Sequence, residues 1–161
     1  MSFEKGDHVF FPRHGVGEVI GVSKQKAGGE TEQCLGVQFP KQNMSLYIPV
    51  DRLDGVRLRK VMGRNKASKV FESLRGRARF NTDRSHKERV RFYQDKFDTG
   101  DPLELSDIAR DLARLSKKQD LTMDEENLCR NSIDLLSREI AVTRKKMPAE
   151  IRQLIEDVIY R

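Results

Sequence analysis

The chain has 161 residues, of which 35% are charged, 37% hydrophobic and 7% aromatic, with a formal net charge of +6 at pH 7. That length suits one ordinary domain or two small ones. No uninterrupted apolar run approaches the ~20 residues of a membrane helix, so a soluble protein with no membrane partner is expected. The opening Met1-Ser2-Phe3-Glu4-Lys5-Gly6-Asp7 lacks the apolar stretch of a secretory signal, which predicts a cytoplasmic chain that starts here. Cys34 and Cys129 lie far apart in apolar runs with no Cys-x-x-Cys pairing, and read as reduced core thiols.

Up to residue 60 the pattern is one of strands and turns: short runs of β-branched and aromatic residues punctuated by glycine and proline. Strands are expected at His8 to Phe11, Val16 to Val22, Gln33 to Phe39 and Ser45 to Val50, with a short fifth at Val56 to Leu58. Pro12-Arg13-His14-Gly15 is a tight corner, and Ala27-Gly28-Gly29-Glu30 supplies a hairpin tip tolerant of positive φ. Four or five strands in so few residues predict a small, strongly bent antiparallel barrel of the SH3 or Tudor type, with Gly17 and Gly21 letting a strand coil.

After residue 60 apolar residues recur three and four apart, the helical spacing. Helices are expected within Lys66 to Arg75, within Ser85 to Phe97 and over Leu103 to Lys117, the last following the start signal Asp101-Pro102. Thr122-x-x-Glu125 is a capping box opening a fourth helix through Ile140, and Pro148 can open a fifth carrying Ile151, Leu154, Ile155, Val158 and Ile159. The fold class is therefore α+β in two domains: residues 1–60 a barrel, residues 61–161 a compact bundle of about five helices.

Charge is unevenly placed. Residues 1–60 carry +2, residues 61–100 carry +6 and residues 101–161 carry −2. Between Arg75 and Arg91 seven cations (Arg75, Arg77, Arg79, Arg84, Lys87, Arg89 and Arg91) face two acids, Asp83 and Glu88. An arginine-rich loop leading into a helix suits phosphate contact, because the guanidinium fork pairs phosphate oxygens and the helix start presents free amides. The alternative is an ordinary solvated linker. Catalytic sets are hard to find: His8, His14 and His86 have no zinc spacing, and Gly15-Val16-Gly17 lacks the helix and lysine of a phosphate-binding loop. No metal, no cofactor, no small-molecule substrate and no enzyme activity are expected.

A resemblance emerges from several segments together: Gly6-Asp7-x-Val9-Phe10-Phe11-Pro12-x-His14-Gly15-Val16-Gly17-x-Val19, Tyr47-Ile48-Pro49-Val50, Gly55-Val56-Arg57, Lys69-Val70-Phe71-x-x-Leu74-Arg75 and Ile108-Ala109-Arg110-Asp111-Leu112. Spanning nearly the whole chain, they look like the CarD/CdnL family of bacterial transcription regulators. The first segment also resembles the RNA-polymerase-binding module of the transcription-repair coupling factor Mfd.

The resemblance implies that residues 1–60 form a Tudor-like domain that docks on the RNA polymerase β subunit by strand pairing, with Lys24, Gln25, Lys26, Tyr47 and Pro49 at the contact. It implies that residues 61–161 contact promoter DNA, independently of sequence, at the upstream edge of the transcription bubble and stabilise the open complex. The residues carried over for DNA are Arg79, Arg84, His86, Lys87, Arg89, Arg91 and Arg130. Where the family places a tryptophan wedge this chain has His86, with Phe80 as a substitute wedge; it contains no tryptophan. A monomer is expected. Asp124-Glu125-Glu126 is acidic where a basic contribution is expected, which keeps a second reading open: a protein-interaction module on polymerase with little or no DNA contact.

Overall fold

The computed structural model describes residues 2–79 and 84–161 and divides into two units, Met1–Val61 and Met62–Arg161. The first is built from strands β1 (His8–Phe11), β2 (Gly15–Ala27), β3 (Glu30–Phe39), β4 (Met44–Pro49) and β5 (Arg59–Lys60), paired antiparallel in the order β4-β3-β2-β1-β5. Val9, Val19, Leu35, Val37, Phe39, Ile48 and Leu58 form its core. The α+β arrangement is the one expected from the sequence. One local expectation is corrected. The fifth strand is Arg59–Lys60 and not Val56 to Leu58, because Leu58 turns into the core and a 3₁₀ turn at Val50–Gly55 takes up the preceding chain. Strands β4 and β5 are the outer members of the sheet.

Strand β2 is longer than its apolar run suggests. It continues through Ser23 to Ala27 opposite Glu30 to Cys34 of β3, and the tip is the pair Gly28 and Gly29, both at positive φ (61° and 89°), as a two-residue hairpin turn of the right twist requires. The register slips between Val19 and Gly21, where Gly21 has φ 120°, so Ile20 is the extra residue of a β-bulge. At Gly17 a Cβ would stand 2.8 Å from Val37 Cγ1 and 2.9 Å from the Gln38 carbonyl oxygen, so β2 approaches β3 there closer than any side chain allows.

The second unit holds α1 (Arg64–Arg75), α2 (His86–Thr99), α3 (Pro102–Leu115), α4 (Met123–Arg144) and α5 (Pro148–Ile159). Helix α3 packs against each of the other four, and Leu105, Ile108, Ala109, Leu112 and Leu115 are fully buried on it. Starts follow the capping rules: Ser85 and Asp101 accept from the amides of Glu88 and Glu104, and Thr122 and Glu125 exchange both bonds of a capping box. The entry to α1 is pinned on α4, where the Glu139 carboxylate accepts from the Met62 amide at 2.6 Å and Thr143 donates its hydroxyl to the Met62 carbonyl at 2.7 Å. Among the described residues no helix is long and apolar enough to cross a membrane.

Candidate interaction surfaces

In the first unit the five residues singled out for a protein partner fall in one neighbourhood. Pro49 pairs with Cys34, which pairs in turn with Ser23, and one step further along the same strands Lys24 faces Gln33; Gln25 and Lys26 follow opposite Glu32 and Thr31. Among the described residues strand β3 has no β4 partner beyond Cys34, so Lys24, Gln25 and Lys26 sit on a two-stranded arm. Tyr47 lies on β4, which pairs only with β3 among the described residues and leaves one row of backbone donors and acceptors free.

The sequence reading missed the apolar character of this face. Ile20, Val22, Tyr47 and Val50 are all exposed. Ile20 and Tyr47 meet above Gly36: a Cβ there would lie 2.7 Å from Ile20 Cγ1 and 3.2 Å from Tyr47 Cε1. The bulge at Ile20 takes an apolar residue out of the alternation and delivers it beside the edge strand, and simple strand periodicity carries no such signal.

In the second unit the arginine-rich connection is laid against α3. The orphan carbonyls at the end of α1 are met by arginines of α3: Arg110 donates to the Ser73 carbonyl at 3.0 Å, and Arg114 donates to the carbonyls of Leu74, at 2.9 Å, and Gly76. The Arg79 amide donates to Asp111 Oδ1 at 3.0 Å, leaving the Arg79 side chain exposed. Phe80 lies outside the described residues. Arg84 is half-buried, its guanidinium 4.4 Å from the ring centre of Phe92, an exposed aromatic that Lys96 approaches from 5.3 Å. His86, Lys87 and Arg91 are exposed on α2. Arg130 is exposed on α4 but lines a different cleft, with Ser116, Gln119, Arg152 and Tyr160.

Arg89 corrects the sequence reading. Its side chain is only 3% exposed and its guanidinium is consumed internally: Nε donates to Glu125 Oε2 at 2.5 Å, Nη1 to the Arg84 carbonyl at 3.3 Å, and Nη2 lies 2.8 Å from His86 Nδ1. It is therefore not a surface cation available to phosphate. Glu125 is the counterpart of that correction. Read from the sequence both as half of the Thr122 capping box and as part of the acidic Asp124-Glu125-Glu126 run, it is fully buried, accepts from the Thr122 amide and stands 3.1 Å from His86 Nδ1. Burial alone would raise its carboxyl, but the hydrogen bonds from Arg89 and the Thr122 amide outweigh burial and hold its pKa at about 2.

Other buried polar groups serve the bundle. Tyr93 donates to Asp111, and burial, reinforced by that carboxylate, pushes its phenol far above the ordinary range. Lys96 bridges Glu104 and Asp107, and although burial opposes its charge, those two bonds raise its pKa. Both cysteines are free and buried, and burial pushes the Cys129 thiol up to about 11. No cluster of metal-ligating side chains is formed among the described residues.

Comparison with known proteins places both units. Residues 3–62 match the model of the CarD-like/TRCF RID domain, and residues 69–156 match the model of the CarD C-terminal domain. "Putative transcription factor YdeB" of Bacillus subtilis (strain 168) is 24% identical over 144 residues, a stretch covering 88% of this chain and 92% of that protein.

Proposed function

The chain belongs to the CarD family, whose members are transcription regulators that interact with RNA polymerase and not enzymes, and on that premise we propose that the sheet unit docks on the polymerase β subunit while α2 carries the contact to promoter DNA. The observation that carries the docking half is the free edge of β4 with Tyr47 and Ile20 exposed beside it. An added strand would draw affinity from main-chain bonds and specificity from these side chains. Lys24 and Lys26, on the adjoining arm, supply the positive rim that steers association with an acidic partner.

The DNA half rests on Lys87 and Arg91 exposed on α2, with Arg79 and Arg84 in the chain that precedes it. A few phosphate contacts give weak, sequence-indifferent binding. Tethering through the sheet unit raises the effective concentration of that weak binder at the promoter. Preference for melted over closed DNA would then stabilise the open complex, in the cytoplasm, wherever polymerase occupies the nucleoid.

The inward turn of Arg89 favours the second reading, an interaction module with little DNA contact, since it removes one cation from the surface. The two readings share the docking step, so docking is tested first. Tyr47 is 45% exposed, and Tyr47→Ala should weaken capture of RNA polymerase at least tenfold with an unchanged melting temperature. Undiminished capture by a folded Tyr47→Ala protein removes the β4 edge from the interface.

A further inference from the structure

Two groups converge on one ring nitrogen. His86 Nδ1 stands 2.8 Å from Arg89 Nη2 and 3.1 Å from Glu125 Oε1. A guanidinium only donates, and an ionised carboxylate only accepts. The Arg89 contact is the shorter of the two, and a proton on Nδ1 would be pressed against the Arg89 N–H there, so Nδ1 is taken as the acceptor of Arg89 Nη2. A ring that accepts at Nδ1 carries its proton on Nε2. The His86 side chain is 56% exposed, against 3% for Arg89 and 0% for Glu125, and Nε2 has no partner among the described residues.

We infer that Arg89 and Glu125 are positioning residues for His86, fixing its ring so that Nε2–H points outward as a hydrogen-bond donor to a DNA phosphate. This rests on the proposed DNA contact of α2 and gives His86 a role different from a stacking wedge. The cluster is hydrogen-bonded on both sides. Glu125 is also the reciprocal partner in the Thr122 capping box, and Arg89 also holds the Arg84 carbonyl, so the ring is braced between the start of α4 and the chain entering α2. A buried, fully bonded pair of this kind holds geometry that an exposed histidine alone lacks.

The test uses the full chain and a fluorescein-labelled duplex of mixed sequence at low salt, read by anisotropy, with melting temperatures measured in parallel. The side-chain amide of Asn reaches the place of Nδ1, and that of Gln the place of Nε2. His86→Gln should therefore keep affinity within about twofold, while His86→Asn should lose roughly three- to tenfold, as His86→Ala does, the size expected for one lost hydrogen bond. Equal losses for Gln and Asn overturn the outward donor.

Arg89→Lys keeps the charge beside Glu125 but has no fork to hold both partners. It should lose several-fold in affinity in the wild-type background and nothing further in the His86→Ala background. A full additional loss there means Arg89 does not act through His86, and the positioning role is wrong; should Arg89→Lys fail to fold, the Gln and Asn pair decides alone. If His86→Ala binds like wild type while a Lys87→Ala/Arg91→Ala protein is impaired, the inference fails and the DNA-contact reading stands. If neither protein is impaired, both fall.

Discussion

Tyr93 on α2 donates its hydroxyl to Asp111 on α3 at 2.9 Å, and both side chains are buried. The same carboxylate takes the Arg79 amide at 3.0 Å and Arg110 Nε at 2.9 Å, so one aspartate joins α2, α3 and the arginine-rich connection. Removing a peripheral donor and removing the hub should differ in size. Tyr93→Phe leaves Asp111 two partners and should cost about 1 kcal/mol of stability. Asp111→Ala strands the buried charge of Arg110, which among the described residues then retains only Asp107 as an anionic partner, and should cost about 3–5 kcal/mol in urea unfolding. Equal effects of the two substitutions would show that the carboxylate is not the hub.

The bundle was legible because its signals are local. Asp101-Pro102, the Thr122–Glu125 box and Pro148 each mark a helix start from residues within one turn, and the structure begins helices at Pro102, Met123 and Pro148. Side-chain direction was less legible. Arg89 stands four residues before Tyr93 and eight before Phe97, so it lies on the buried stripe of α2, and helical spacing alone could have turned it inward. Counting it among surface cations gave charge precedence over periodicity. The exposure of Ile20 rests on a register slip between β2 and β3, and a slip is a property of the pairing, invisible along one strand.

The buried carboxylate of Glu125 gives stability a dependence on acid pH. Its pKa is lowered from 4.5 to about 2 in the folded chain, so its stabilising contribution is fully present above pH 4.5 and is lost as the pH falls from 4.5 through about 2. Glu125→Gln should be less stable than wild type at neutral pH by about 3–5 kcal/mol, because Arg89 is left buried without its counter-charge. The difference between the two proteins should then shrink steadily below pH 4.5. A gap in unfolding free energy that stays constant from pH 7 to pH 3 would mean that Glu125 is not held ionised by its partners.

The DNA contact makes its own prediction through salt. Lys87 and Arg91 are exposed on α2, whereas Arg89 is bound to Glu125 and Arg84 lies against Phe92. If phosphates are neutralised chiefly by these two exposed cations of α2, the slope of log affinity against log salt on duplex DNA should fall by roughly 0.9 for each one removed. Lys87→Ala/Arg91→Ala should therefore flatten that slope by roughly 2. The substitution touches neither β4 nor the sheet core, so polymerase capture should be unchanged while open-complex lifetime shortens. The loss should be nearly the same on unrelated promoter sequences, because phosphate contacts position a protein without reading bases. Wild-type open-complex lifetimes for the double variant, at moderate salt and saturating protein, would sink the DNA-contact reading and leave the interaction module on polymerase as the function.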